Sequence, residues 1–146
     1  MNVREILKDA KEQLALSEID SIDAEILLAH VLGISRMDLH NPLVLERTLE
    51  AIDDKNVLLE TFHNLLARRI LHEPLQYITG SAYFRNLELK VGPGVLVPRP
   101  ESELLVGAVL THIANLPAPV SVIDLGSGSG ALALAIATEA ANSRVI

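Results

Sequence analysis

The stretch VIDLGSGSGALALAIA, from Val122 to Ala137, holds the residues whose types and spacing most plainly suggest chemistry. Gly126, Gly128 and Gly130 alternate with Ser127 and Ser129 directly after an apolar run that ends in Asp124 and Leu125. Glycine turns the backbone through positive φ and lets a ligand approach where a Cβ would clash. The spacing predicts a helix beginning near Ser129, whose free N–H groups and dipole suit an anionic ligand group. A site of this kind lies at the carboxyl end of a strand, where open α/β sheets bind ligands. Two familiar ligands fit poorly. A dinucleotide loop wants its third glycine one residue later, and a nucleotide-triphosphate loop wants a lysine that is absent. Asp124 has two open roles, pocket residue or structural acceptor for loop N–H groups. His30, His40, His63, His72 and His112 form no metal-ligand spacing, and no metal site is expected. No Ser-His-Asp arrangement is arguable, and with no cysteine in the chain disulfides, thiolate metal sites and a cysteine nucleophile are excluded.

The elements that must position this loop follow from periodicity. Val3, Ile6, Leu7, Ala10 and Leu14 keep helical spacing, as do Ala24, Leu27, Leu28, Val31 and Leu32, with Ser21 as N-cap and Gly33 as stop. HNPL, from His40 to Leu43, breaks the chain. A longer helix is expected from about Glu46 to Leu71, with Leu58, Phe62, Leu65 and Leu66 on one face. These helices predict a small bundle. After Pro74 the period changes. Leu87, Leu89 and Val91 alternate with Glu88 and Lys90, a strand pattern with Arg85-Asn86 as hairpin turn. GPGVLVPRP, from Gly92 to Pro100, is a stiff connector. A helix is expected from about Glu101 to Asn115 with Leu105, Ala108, Val109 and Ile113 inward, then a strand at VSVIDL covered on both faces. One strand, one helix and the RVI of a second strand open an α/β domain. That incompleteness leads to the expectation that the chain is a fragment of a longer one.

The 146 residues carry a net charge of -7, with 49% hydrophobic and 3% aromatic residues. The core is therefore aliphatic. Residues 1–75 hold 8 basic and 14 acidic side chains, and residues 76–146 hold 4 and 5. Such a balance disfavours direct binding to nucleic acid. The acidic half reads first as a solvated helical surface, second as a lure for a basic protein. The charged start excludes a signal peptide, no apolar run reaches membrane-span length, and a cytoplasmic monomer with no membrane partner is expected.

An acidic residue followed by G-x-G-x-G, as in DLGSGSG, resembles motif I of S-adenosylmethionine-dependent methyltransferases. Upstream, HEPLQYITGSAYFRNLELKVGPGVLVPRPESELLV resembles the connector of the protein-(glutamine-N5) methyltransferases that act on peptide-chain release factors. The resemblance covers essentially the whole chain. It departs at Ser102, where threonine is usual, and at FRNLEL, where a glycine usually follows the aromatic. It implies an α/β fold: helical bundle, β-hairpin connector, then the start of a truncated Rossmann-like methyltransferase domain. The implied domains are 1–74, helical and substrate-recognising; 75–98, hairpin and connector; and 99–146, the incomplete cofactor domain. S-adenosylmethionine is the implied cofactor and a release factor the implied partner. Asp124, Gly126, Ser127, Gly128, Ser129 and Gly130, with Arg99, Pro100 and Glu101 beside them, are the implied cofactor-binding residues. For Arg99 and Glu101, helix capping and a local ion pair compete with that role.

The family's catalytic motif, Asn-Pro-Pro-Tyr, lies at the end of a later strand and does not occur in these residues, so no catalytic residue is assigned and this chain alone is expected to be inactive. The acidic residue that holds the cofactor ribose is expected roughly 20 residues past the loop, at or beyond the chain end. NPLV, Asn41 to Val44, is a poor substitute, because Leu43 and Val44 replace the second proline and the aromatic ring; Asn-Pro between helices is an ordinary turn. Two alternatives stay open: a glutamine methyltransferase of a ribosomal protein, and a non-catalytic binding module.

Overall fold

The computed structural model describes residues 2–46 and 54–146. The chain divides into two compact units, Met1–Thr79 and Gly80–Ile146. Leu75–Thr79 is a short helix whose Ile78 is buried in the core of the first unit.

The first unit is helical. Helix α1, Val3–Leu16, is closed at its start by reciprocal bonds: Asn2 Oδ1 accepts from the Glu5 amide, and Glu5 Oε2 accepts from the Asn2 amide, both at 2.9 Å. Its five periodic apolar residues are all buried. Helix α2, Ile22–Leu32, stops at Gly33 in the left-handed conformation, as expected. Its start differs. Ser21 is itself helical in φ and ψ and makes no side-chain cap, while Asp20 Oδ1 accepts from the Ile22 amide at 2.9 Å. A 3-10 turn, Asp38–His40, leads into the four-residue helix α3, Pro42–Leu45.

The long helix expected from Glu46 is shorter. Glu46 ends α3, residues 47–53 lie outside the described residues, and α4 runs over Lys55–Ile70 after a left-handed Asp54. Phe62 and Leu66 are buried as foreseen, with Leu65 packed at the edge of the core. The exit of α4 is tied down by two arginines. Arg69 Nε donates to Asp23 Oδ2 at 2.7 Å and its Nη1 to the Glu73 carbonyl at 3.0 Å, while Arg68 Nε donates to Glu73 Oε2 at 2.8 Å. These bonds fix the segment entering α5, Leu75–Thr79.

The second unit opens with an antiparallel hairpin, β1 (Ser81–Phe84) and β2 (Leu87–Lys90), in which Phe84 faces Leu87 across Arg85-Asn86. Helix α6 covers Ser102–Ile113, β3 covers Val120–Val122, α7 covers Ala131–Glu139 and β4 covers Ser143–Val145. Strands β3 and β4 pair in parallel, joined by α7, which makes a β-α-β unit. Phe84, Leu89, Val106, Ala131, Ala135 and Ile136, from the hairpin, α6 and α7, form a buried core cluster of the second unit.

Two expectations are corrected here. The inward face of α6 is Val106 with Val109, Leu110 and Ile113, whereas Leu105 and Ala108 are exposed. Seven of its twelve residues, Leu104, Leu105, Val106, Ala108, Val109, Leu110 and Ile113, are apolar, so the helix lacks the broad polar face that would have fixed its rotation. The strand expected over VSVIDL stops at Val122, and Ile123 and Leu125 are exposed rather than covered. One further parallel bond follows it, from the Asp124 amide to the Ile146 carbonyl at 2.8 Å.

Candidate functional site

Strand β3 delivers Asp124 and the glycine loop at its carboxyl end, and the loop hands the chain to α7. Gly126, Gly128 and Gly130 all have positive φ, at 81°, 56° and 75°. Three alternate left-handed residues are what the glycine spacing required, since a side chain at these angles is strained. The turn closes on itself where the Gly130 amide donates to the Ser127 carbonyl at 2.7 Å. Helix α7 begins at Ala131, two residues later than the sequence suggested, with left-handed Gly130 as its N-cap. No side chain caps it, so its first amides are not taken by a local carboxylate or hydroxyl.

A Cβ placed on Gly126 would meet nothing within 4 Å, and one on Gly128 would meet only the Gly126 carbonyl at 3.9 Å. The loop is therefore open at Gly126 and Gly128, whereas a Cβ on Gly130 would meet the Leu134 side chain at 3.4 Å. Ser127 is exposed, and Ser129 is half-buried. Asp124 is half-buried, and its Oδ2 is a buried acceptor without a hydrogen-bond partner. A buried polar atom left unpaired carries a free-energy cost, which a hydrogen-bond donor brought by a ligand would remove. These features fit a ligand with a carboxylate for the amides and a donor group for Asp124, as the methionine part of S-adenosylmethionine offers. Such a cofactor, if held there, would supply a sulfonium methyl for transfer. The role of Asp124 as acceptor for loop N–H groups is not the arrangement found at Oδ2.

Arg99, Pro100 and Glu101 lead into α6. All three are exposed. Glu101 occupies the N-cap position in helical conformation and makes no side-chain cap. Neither the capping role nor an Arg99–Glu101 ion pair occurs among the described residues, and both charged side chains are without partners. Helices α6 and α7 pack on each other, which brings the element led by Arg99–Glu101 against the one led by the glycine loop. A separate cleft of about 310 Å³ lies at the opposite ends of β3 and β4, lined by residues such as Leu110, Ile113, Val120 and Asn142. It adjoins none of these groups.

Asn41 of NPLV serves α3. Its Oδ1 accepts from the Leu43 amide at 3.0 Å, and Pro42 occupies the first helical position. That is the turn reading, in residues. The sequence missed a charged cluster on the first unit. Glu25, with a side chain 9% exposed, accepts from Lys11 Nζ at 2.6 Å and Arg36 Nη1 at 3.2 Å, and lies 3.3 Å from His40 Nε2. The Lys11 hydrogen bond, against the opposing effect of burial, holds the Glu25 carboxyl below its ordinary range, with the Lys11 charge, Arg36 and His40 adding to it. The only sequence signal was a glutamate on the apolar face of α2. Among the described residues, no group of three or more His, Asp and Glu side chains is arranged to hold a metal ion.

Residues 5–80 match the family described as PrmC N-terminal domain. The chain belongs to that family. Its relatives extend the likeness through the glycine loop. It is 43% identical over 136 residues to a release factor glutamine methyltransferase of Burkholderia pseudomallei, covering 93% of this chain and 45% of that protein. It is 40% identical over 148 residues to one of Bifidobacterium longum, covering 99% and 49%, and 42% identical over 139 residues to one of Streptomyces coelicolor, covering 93% and 46%. The chain spans about half the length of the curated relatives it matches. The PrmC N-terminal domain match begins within the first turn of α1 and ends at Gly80, where the second unit begins. Among the described residues no helix is long and apolar enough to cross a membrane.

Proposed function

We propose that this chain is part of an S-adenosylmethionine-dependent protein-(glutamine-N5) methyltransferase that acts on peptide-chain release factors in the cytoplasm. The observation that carries the reading is the glycine loop: three left-handed glycines, an uncapped α7 and the unpartnered Asp124 Oδ2 at the end of a parallel strand. The family match and the relatives' names support it. The β-α-β unit is then the start of a Rossmann-like cofactor domain. Loop amides would hold the cofactor carboxylate, Asp124 a donor group beside it, and Arg99, Pro100 and Glu101 would flank the same pocket.

The helical unit would grip the release factor. An amide nitrogen is a weak nucleophile because its lone pair is delocalised into the carbonyl. Methylating it depends on holding the nitrogen in line with the sulfonium carbon, through positioning and preorganised acceptors. The acceptors that do this in the family, in Asn-Pro-Pro-Tyr, are not among these residues, so the chain by itself is expected to transfer no methyl group.

The test incubates the protein that carries this chain with radiolabelled S-adenosylmethionine and purified release factor. Label on a glutamine of the release factor is expected. Label on a ribosomal protein alone would overturn the substrate. Absence of both cofactor binding and label would overturn the reaction.

A further inference from the structure

The hairpin turn holds a residue in a backbone conformation that its type disfavours. Arg85 has φ of +51°, in the left-handed region that suits glycine. A non-glycine residue persists there where its surroundings over-determine it.

Those surroundings are two helices distant in sequence. The Arg85 amide donates to Glu103 Oε1 at 2.9 Å, and Nη1 donates to the Glu103 carbonyl at 3.2 Å. Nε and Nη2 donate to Glu139 Oε1 and Oε2, each at 2.6 Å. This is a bidentate pair, the geometry that most restricts both partners. The two side chains are only 24% and 22% exposed. The same hydrogen bonds hold the Glu139 carboxyl below its ordinary range. Glu103 stands in the first turn of α6, just past Arg99, Pro100 and Glu101, and Glu139 is the last residue of α7, the helix that the glycine loop begins.

We propose that Arg85 is a positioning residue for the glycine-loop site, clamping the start of α6 and the end of α7 to one hairpin turn. It acts through Glu103 and Glu139 and touches no reacting atom. The site assignment rests on the methyltransferase reading; the clamp itself does not. Lysine at this position would keep a charge for Glu139 without the fork that also reaches the Glu103 carbonyl.

The experiment compares wild type with Arg85→Gly and Arg85→Lys in the protein that carries this chain. Amide hydrogen exchange and S-adenosylmethionine affinity by calorimetry are both read. Arg85→Gly also relieves the left-handed strain, so the fold is retained and thermal unfolding stays near wild type. Exchange at residues 102–106 is expected to rise about tenfold, and cofactor affinity to fall about tenfold, with Arg85→Lys between. Unchanged exchange in Arg85→Gly would overturn the clamp. Faster exchange with unchanged affinity would overturn the positioning role. A wild type that binds no cofactor, with the exchange difference intact, would overturn the methyltransferase reading and the site assignment, and leave the clamp standing.

Discussion

Replacing Asp124 with alanine separates the two roles open to that residue. In the free chain Oδ2 is buried without a partner. Leaving a buried polar atom unsatisfied costs about 1–3 kcal/mol. Alanine removes that cost and leaves a small void, worth about 1 kcal/mol in the other direction. The second unit should therefore gain up to about 2 kcal/mol, and each kcal/mol raises the midpoint of a domain this small by about 4–8 °C. Cofactor binding should move the opposite way. A hydrogen bond to a charged group contributes about 1.5–3 kcal/mol, so affinity should fall about 10- to 150-fold.

Stability is read by urea titration of cross-peaks from the second unit, because two units need separate reporters. Affinity is read by calorimetry on the protein that carries the chain. Asp124→Asn keeps the side-chain volume and isolates the void from the loss of the carboxylate. Destabilisation of Asp124→Ala by more than about 1 kcal/mol would refute the reasoning and make Asp124 a structural acceptor of the loop. Unchanged affinity would remove it from the site.

The other predictions concern the loop, the charged cluster and the turn that mimics a catalytic motif. Gly126→Ala meets no neighbouring atom within 4 Å but must hold φ of +81°, so it should cost about 1–2 kcal/mol in thermal unfolding and weaken cofactor binding further, by filling the open side of the loop. Glu25→Gln should lower stability at pH 7 by about 1–3 kcal/mol. Because the folded Glu25 pKa is depressed, its contribution is complete above the unfolded value of 4.5 and disappears as pH falls through the folded value, so the gap to wild type should close below pH 4.5 in urea titrations. Asn41→Ala should cost about 1 kcal/mol through the lost cap, with cofactor affinity and methyl transfer unchanged; a fall in transfer would restore Asn41 as a candidate catalytic residue.

Features set within a few residues were legible from the sequence alone. Alternating glycines after an apolar run pointed to a left-handed loop at Gly126, Gly128 and Gly130, since glycine enters those angles at least cost. Apolar residues at strict helical spacing placed Val3, Ile6, Leu7, Ala10 and Leu14 on the buried face of α1, because its other faces are charged. The Arg85-Asn86 turn followed from the alternation beside it. Tertiary structure decided what local pattern leaves degenerate. Helix α6 is apolar on several faces, and only packing with Phe84, Leu89 and α7 selected Val106 over Leu105. Charged groups are soluble alone and acquire roles only when the fold brings distant partners together. Glu25 meets Lys11, Arg36 and His40 from three separate segments, and Arg85 reaches Glu139 across 54 residues. Loop chemistry is written in backbone angles that neighbouring residues dictate, whereas ion pairs and buried faces depend on distances that exist only after the chain has folded.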